Sequence, residues 1–389
     1  MRVAIERKEL LARIQHLVSI VPTKSTSPIL NNYLIEASEE KNTIRICATD
    51  LQLLVVVEIP AAVAESGTIA ISAHHFNEII NCMPDAVINL WQHDELLMIQ
   101  SGKVDFNLLI ADHTLFPVIP DPQNKNVITI SAELFNRMIA KTYFAVSSDP
   151  NRTALNGVCW KIFPDYHIMV ATDGRKVAEI KVLHTSLLPA LVNDEETELN
   201  IFMEQEQKYV ERIIPVKTLM FLQKIYNEDV KELKIGLERN RIEFIYGEYF
   251  ISSQVLEHKY PDYQKAFPVE LPNKFVIDKN NLITAIKRVA LVAPDDNMRI
   301  HFDLDSNHFE VNASNRDTGE AKEDIDEYNY SGNSTGISFN FKYMLSILEA
   351  IDTEKVVINL GTSKDPMMIY NETPVPDQEL TFLLMPLRS

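Results

Sequence analysis

The sequence predicts an α+β protein built from three tandem copies of one unit, each reading β-α-β-β-β-α-β-β-β. Three observations carry that prediction. The phrase "CATDLQLLVVVEI" from Cys47 returns as "VATDGRKVAEIKV" from Val170 and, in worn form, as "NASNRDTGEAKEDI" from Asn312. An amphipathic helix opens each third of the chain, and a second one lies downstream of it. Short runs of alternating apolar and polar residues fill the intervals, which is the period-2 pattern of strands.

The opening helices fall at 6–20, 131–144 and 278–290. In the first, Leu10, Leu11, Ile14, Leu17 and Val18 share one face; in the third, Leu282, Ile283, Ile286, Val289 and Ala290 repeat the spacing. The middle copy keeps Leu134, Phe135, Met138 and Ile139. The second helices fall at 72–82, 214–226 and 338–351, each followed by a polar break and hairpin-like runs such as "AVINLWQHDELLMIQSGKVDFNLLIA". The repeated phrase reads as a tight turn between two strands. Asp50 and Asp173 can each accept from nearby backbone N–H groups, and Gly174 can take a positive φ. Ala313, Ser314 and Asn315 are the third copy. Proline-rich joins at Leu115–Lys125 and Tyr260–Pro272 set domain borders at 1–122, 126–262 and 270–389, with a surface insertion at about 183–205 in the central unit.

The composition is that of a globular chain, 46% hydrophobic and 24% charged over 389 residues. No apolar run approaches the ~18 residues a membrane helix needs. "MRVAIERKELL" lacks the apolar core of a signal peptide, so a cytoplasmic location is expected. Cys47, Cys82 and Cys159 lack the spacing of a zinc site or a disulfide framework and read as small buried residues. With only 10 glycines the chain shows no GxxxxGK[ST], GxGxxG or GxSxG motif. His74, His75 and Glu78 share a helix, but adjacent histidines point about 100° apart, so no metal is expected. Asp173 invites a catalytic role, yet its copy Asp50 argues for a turn. No catalytic residue and no cofactor are therefore expected.

The net charge of −18 argues against a nucleic-acid partner, until its distribution is considered. The six helices carry +5 between them, leaving −23 on the rest. Lysines and arginines often do no more than decorate solvated faces. Helices gathered on one side of an otherwise acidic structure would instead form a positive lining for phosphates.

Five signatures then appear in order: "TSPILNNYLIEA" near the start, "LNG" at Leu155, "ATDGRK" at Ala171, "YPDYQKAFP" at Tyr260 and the terminal "LLMPLRS". Together they resemble the bacterial sliding clamp family, the β subunit of DNA polymerase III, over the whole chain except the insertion. The resemblance implies the DNA clamp fold: a head-to-tail homodimer of three-domain subunits, closed into a ring around duplex DNA. It implies a processivity factor that holds DNA by topology, independent of sequence. It also implies DNA-facing roles for Lys24, Arg152 and Lys217, to which helix placement adds Arg137 and Lys141. Phe106 and Leu108 match the family's apolar edge strand, and Leu291 and Val292 match the surface that meets it. Glu320, Glu323, Asp324 and Asp326 flank that contact and could face Lys103.

The resemblance further implies an apolar cleft between the second and third domains that receives short linear peptides. Expected partners are the DNA polymerase III α subunit, the clamp loader δ subunit, translesion polymerases, mismatch-repair proteins and ligase. Its floor would comprise Leu155, Thr172, Gly174, Arg175, Lys176 and Val177. Pro261, Lys265, Asn340 and Tyr343 would continue it, and Leu383, Met385, Pro386, Leu387 and Arg388 would complete it. The chain departs from the family at Arg175-Lys176-Val177, where His-Arg-Leu is frequent, at Lys265 and Ala266, and at its final Ser389. The competing expectation is a non-catalytic scaffold of repeated domains that binds proteins and never encircles DNA.

Overall fold

The computed structural model describes residues 1–22, 27–120, 122, 126–184, 201–204, 207–294 and 296–387. Each repeat holds two helices and nine strands among the described residues. The first runs from β1 (Arg2–Glu6) and α1 (Arg7–Leu17) through β2–β6 to α2 (Ala73–Cys82) and β7–β9. The second opens with β10 (Val127–Ser131) and α3 (Ala132–Thr142) and continues through β11–β15 to α4 (Val216–Ile225) and β16–β18. The third opens with β19 (Asn273–Asp278) and α5 (Lys279–Val289), followed by β20–β24, α6 (Phe341–Ala350) and β25–β27.

Five strands thus lie between the helices of each repeat, where periodicity predicts three. The additional strands are of two kinds. Some are very short, such as β5 (Ala62–Glu65). Others run straight into the second helix, as β6 (Gly67–Ser72) runs into α2. Four residues give too few alternations to register, and a strand that abuts a helix has no turn signal to mark its end. The helices bury the expected faces: Leu10, Ile14 and Leu17 in α1, Leu282, Ile286 and Val289 in α5, Phe135, Met138 and Ile139 in α3.

Two compact units result. One contains residues 1–135 and 217–255 and carries a single 13-stranded sheet, ordered β10-β16-β17-β18-β4-β3-β2-β6-β9-β8-β7-β1-β5. The other contains the remaining described residues, with a 10-stranded sheet β14-β15-β11-β12-β13-β27-β26-β25-β19-β23 and a four-stranded sheet β22-β21-β20-β24. These units ignore the repeat borders because the sheets do. In the first, β18 (Tyr249–Gln254) of the second repeat pairs antiparallel with β4 (Leu53–Pro60) of the first. In the second, β13 (Lys176–Leu183) pairs with β27 (Gln378–Leu384) along seven residue pairs. The central repeat therefore lends one sheet to each unit. The expected insertion at about 183–205 falls mostly outside the described residues.

Candidate functional site

The turn at Thr172–Lys176 is built by its own side chains. Asp173 Oδ1 accepts from Arg175 N (2.8 Å) and Lys176 N (3.0 Å), while Thr172 Oγ1 accepts from Gly174 N (3.0 Å) and donates to the Lys176 carbonyl (2.7 Å). Gly174 sits at φ +84°, and a Cβ there would come within 3.1 Å of the Arg152 guanidinium. Glycine takes this conformation without strain, and the room a side chain would need is held by the Arg152 guanidinium. Asp173, proposed above as a turn former and not a base, spends its second oxygen on Lys176 Nζ at 2.7 Å.

Beneath this turn lies a satellite apolar cluster. It joins Leu155, Val177 and Leu383 with Cys159, Val170, Ile213, Tyr260, Tyr263, Met368, Phe267 and Leu271. The sequence-named cleft residues gather around it. Lys176, only 5% exposed, points its ammonium over the Tyr343 ring at 4.0 Å, and Arg175 Nη1 reaches the Tyr343 hydroxyl at 3.5 Å. The chain end is laced in: Met385 N donates to the Arg175 carbonyl (2.8 Å) and Leu387 N to the Ser338 carbonyl (2.7 Å). Met385 stays 37% exposed beside a half-buried Pro386 and Leu387. Asn340 caps α6, its Oδ1 accepting from Lys342 N and Tyr343 N. Pro261 and Lys265 are exposed on the connecting segment, where Lys265 pairs with Asp262 at 2.9 Å. Arg388 lies outside the described residues. Sequence reasoning passed over Tyr260, Tyr263 and Phe267, which anchor the connecting segment. "YPDYQKAFP" displays all three aromatics, the signal that could have found them.

The five basic residues assigned to DNA stand differently. Lys24 lies outside the described residues. Lys217 Nζ bonds the Asp50 carboxylate and the Ile20 carbonyl but keeps 45% of its side chain exposed. Arg152 donates to the Asp173 carbonyl (2.8 Å), pairs with Asp149, and is 54% exposed. Arg137 and Lys141 require correction. Lys141 is 9% exposed, its ammonium 2.5 Å from the Ala350 carbonyl and 2.6 Å from Asp352 Oδ1. Burial pushes its pKa down. Arg137 places two nitrogens on the Asp352 carboxylate (2.7 and 3.2 Å) and Nε on Gln378 Oε1 (2.6 Å). Burial alone would raise the Asp352 carboxyl, but these two cations outweigh it and hold it below its ordinary value. Both are committed to protein groups, Lys141 nearly buried and Arg137 with 29% of its side chain exposed. Helix position shows a face; it does not show what lies across from it.

Two partly unpaired strand edges lie where the sequence places the expected dimer contact. β9 (Val104–Ala111) pairs with β8 along 104–109 but meets β6 only at Ile110 and Ala111, and it carries half-buried Phe106 and Leu108 with a 74% exposed Leu109. β22 (Gly319–Asp324) pairs only with β21 and ends its sheet. Beside it sit Leu291, 83% exposed, and Val292, whose carbonyl accepts from Thr318 Oγ1 at 3.1 Å. Of the acidic flank, Glu323 is already paired with Arg288, whose Nε lies 2.8 Å away. Cys47 and Cys159 are buried as expected, but Cys82 is exposed at the end of α2.

Three domain models of one family match in succession: the DNA polymerase III beta subunit N-terminal domain at 1–120, its central domain at 129–190 and 196–262, and its C-terminal domain at 264–388. Proteins named beta sliding clamp from Staphylococcus aureus and Staphylococcus epidermidis are 28% identical over 399 aligned positions, covering both chains completely. Among solved structures, the sliding clamp of Bartonella birtlesii bound to griselimycin superposes with a TM-score of 0.90 at 25% identity, covering all of both chains. The clamp of Bacillus subtilis gives 0.88 at 24%, covering all of this chain and 99% of the other. With all three of its domains matched in order and full-length relatives of one kind, the chain belongs to the DNA polymerase III beta subunit family, the bacterial sliding clamps, and serves as a processivity factor without chemistry of its own.

Proposed function

We propose that two copies of this three-domain subunit (borders near 1–122, 126–262 and 270–389) close head to tail around duplex DNA. Each copy then docks short peptides of its partners on the cleft at Thr172–Val177, Tyr343 and Leu383–Leu387. The observation that carries the docking half is the apolar cluster that joins Leu155, Val177 and Leu383, with the exposed Met385 tied by its N–H to the Arg175 carbonyl. Apolar, flexible side chains suit peptides of varied sequence. The polymerase III α subunit, the clamp loader δ subunit, translesion polymerases, mismatch-repair proteins and ligase are the partners this reading names.

The ring half draws support from the unpaired stretches of β9 and β22, since an open strand edge is a liability in a lone chain. Joining β9 of one copy to β22 of another uses different surfaces on the two sides, and such a heterologous contact closes only if the rotation allows it. Phe106, Leu108, Leu291 and Val292 would be buried there. Lys217 and Arg152, half exposed, and Lys24 are the candidates for transient phosphate contacts. An acidic protein retained by topology needs few such contacts. No helix among the described residues is long and apolar enough to cross a membrane, and a cytoplasmic, nucleoid-associated site of action fits this role.

The test is retention by topology. The protein is loaded on nicked circular plasmid with its clamp loader and ATP, isolated by gel filtration in moderate salt, and the plasmid is then linearised. Retention on circles and loss from cut ends is expected. Equal retention on both forms would replace encirclement with ordinary affinity.

A further inference from the structure

The chain contains two junctions between consecutive repeats, and homologous positions at the two can be compared. Arg137 and Lys141 are the sixth and tenth residues of α3; the sixth and tenth residues of α1 are Ala12 and His16. Asp352 lies two residues beyond α6, and Asn227 two residues beyond α4. In the strand register, Gln378 corresponds to Gly247, since β27 faces β13 as β18 faces β4. With Asn227 in place of the aspartate and Ala12 in place of the arginine, these four positions do not reproduce the lock of Arg137 and Lys141 on Asp352. A cavity of about 330 Å³ occupies the space that Ala12, His16 and Asn227 line. The first junction carries instead a single ion pair one position along, Arg13 Nε to Glu248 Oε1 at 3.0 Å; an aspartate beyond the second helix gripped by two cations is found only at the second junction among the described residues.

What the lock grips is informative. Asp352 ends the segment leaving α6, and the same segment is held by Lys279 Nζ on the Ile351 carbonyl (2.7 Å) and Asn371 Oδ1 on Asp352 N (3.0 Å). Lys141 also bonds the Ala350 carbonyl, one of the orphan carbonyls of the α6 C-terminus, where a cation is favoured. Gln378 begins β27, the strand that leads to Leu383 and Met385. Both elements that bring third-repeat residues to the cleft, α6 with Asn340 and Tyr343 and β27 with Leu383, are therefore pinned at their far ends to one helix of the second repeat.

We propose that Arg137 and Lys141, through Asp352 and Gln378, form a brace that positions the third-repeat wall of the peptide cleft against the Gly174 turn. This rests on the docking reading above. The lever is short: from Tyr343 to Ala350 a helix rises about 10 Å, so a tilt of about 10° at the brace moves Tyr343 by about 2 Å. That is enough to lift the ring off Lys176. Holding the wall in place before the peptide arrives removes an ordering cost from binding. These are positioning residues and touch no peptide.

The test measures a fluorescein-labelled peptide spanning the clamp-binding segment of the same organism's polymerase III α subunit, by anisotropy, on the full-length dimer. Asp352→Asn keeps the shape and removes the charge, and Kd is expected to rise about tenfold. Asp352→Glu should recover part of the loss. Hydrogen exchange should quicken in 341–350 and 378–387 and not in 73–82, the matching helix of the first repeat. Should Asp352→Asn fold poorly, Gln378→Ala removes one bond and is expected to raise Kd about threefold. A lowered melting temperature with unchanged Kd and unchanged exchange in those segments would make the lock merely structural and overturn the proposal. Tyr343→Ala serves as the reference that abolishes binding. If the wild-type dimer binds no peptide, the docking reading falls instead, and the exchange pattern alone then decides whether the brace holds α6 and β27.

Discussion

The turns at Thr49–Leu53 and Thr172–Lys176 are the same object folded twice. In the first, Thr49 Oγ1 donates to the Leu53 carbonyl (3.0 Å) and accepts from Leu51 N (3.0 Å), while Asp50 Oδ1 accepts from Gln52 N (3.0 Å) and Leu53 N (2.8 Å). The second makes all four bonds at matching positions. The strands laid against them match as well. Gln254 N donates to the Gln52 carbonyl as Met385 N donates to that of Arg175, both at 2.8 Å. What differs is the side chains. Opposite Leu53 and Leu54 stand Ser253 and Ser252; opposite Lys176 and Val177 stand Leu384 and Leu383. Thr218 occupies the position of Tyr343 and shares a hydrogen bond with Ser253 at 2.7 Å. The first apolar pocket is filled from within: Leu30, the counterpart of half-buried Leu155, is 5% exposed and packs with Phe116, Ile119 and Phe250. One backbone thus yields a closed, polar-floored joint and the apolar surface proposed as the peptide cleft, and the difference lies in a handful of side chains.

The largest expected effect follows directly. Deleting Met385–Ser389 should weaken binding of the polymerase peptide by at least about 100-fold, roughly 2.7 kcal/mol, because it removes the exposed methionine and both laced backbone bonds. The dimer should survive, since its proposed contacts lie on β9 and β22. Anisotropy and size exclusion check the two halves; micromolar binding by the truncated protein would sink the cleft assignment. No matching peptide site is expected at the first junction.

A second contrast between the repeats concerns acid. Buried in β12 (Tyr166–Thr172), His167 stands where β3 (Thr43–Thr49) places the wholly buried Ile44. Neither of its ring nitrogens has a hydrogen-bond partner, and its neighbours are the edges of Trp160 and His184, with ring centres at 5.5 and 5.3 Å. Burial pushes its pKa down to about 3, whereas an unfolded histidine titrates near about 6.5. The unfolded chain therefore takes up a proton first. Stability should fall as pH drops from about 6.5 towards about 3, by up to ~1.4 kcal/mol per pH unit. His167→Ile, which writes the first repeat's residue into the second, should remove that slope. Between pH 7 and pH 5 the wild type should lose about 2 kcal/mol more than the variant in denaturant unfolding.

The sequence carried the repeat, its helix faces and the aspartate turns because each depends on local spacing or on a side chain bonding its own backbone. It carried the cleft less completely. Leu155, Val177 and Leu383 could be named, but nothing local shows that Lys176 is buried over Tyr343. Arg137 and Lys141 were misplaced for the same reason. Their charges are visible on the helix, whereas Asp352 and Gln378 lie over 200 residues away in the chain. The two-unit division was hidden too, since hydrogen bonds between β4 and β18, or β13 and β27, leave no trace in composition. Leu51 is a different case. It sits at φ +76°, the position held by Gly174 in the second turn. An aspartate turn is easy to read, but a leucine in a glycine's conformation is not.

That last mismatch allows a reciprocal exchange, with the smaller effects expected. Gly174→Leu should cost about 1–2 kcal/mol, because an L-residue is strained in the left-handed region and its Cβ meets Arg152 Nη1. Displacing Arg152 from the Asp173 carbonyl loosens the turn under the cleft, so peptide binding should weaken together with stability. Leu51→Gly relieves the same strain in the first turn. The gain is partly offset by the greater freedom of glycine in the unfolded chain, leaving about 0.5 kcal/mol of stabilisation. Little burial is lost, since Leu51 is 56% exposed, and peptide binding should not change. Denaturant midpoints for both variants, read beside anisotropy, separate the two turns. If Leu51→Gly also altered peptide affinity, the first junction would be coupled to the cleft, and its role as a closed joint would have to be abandoned.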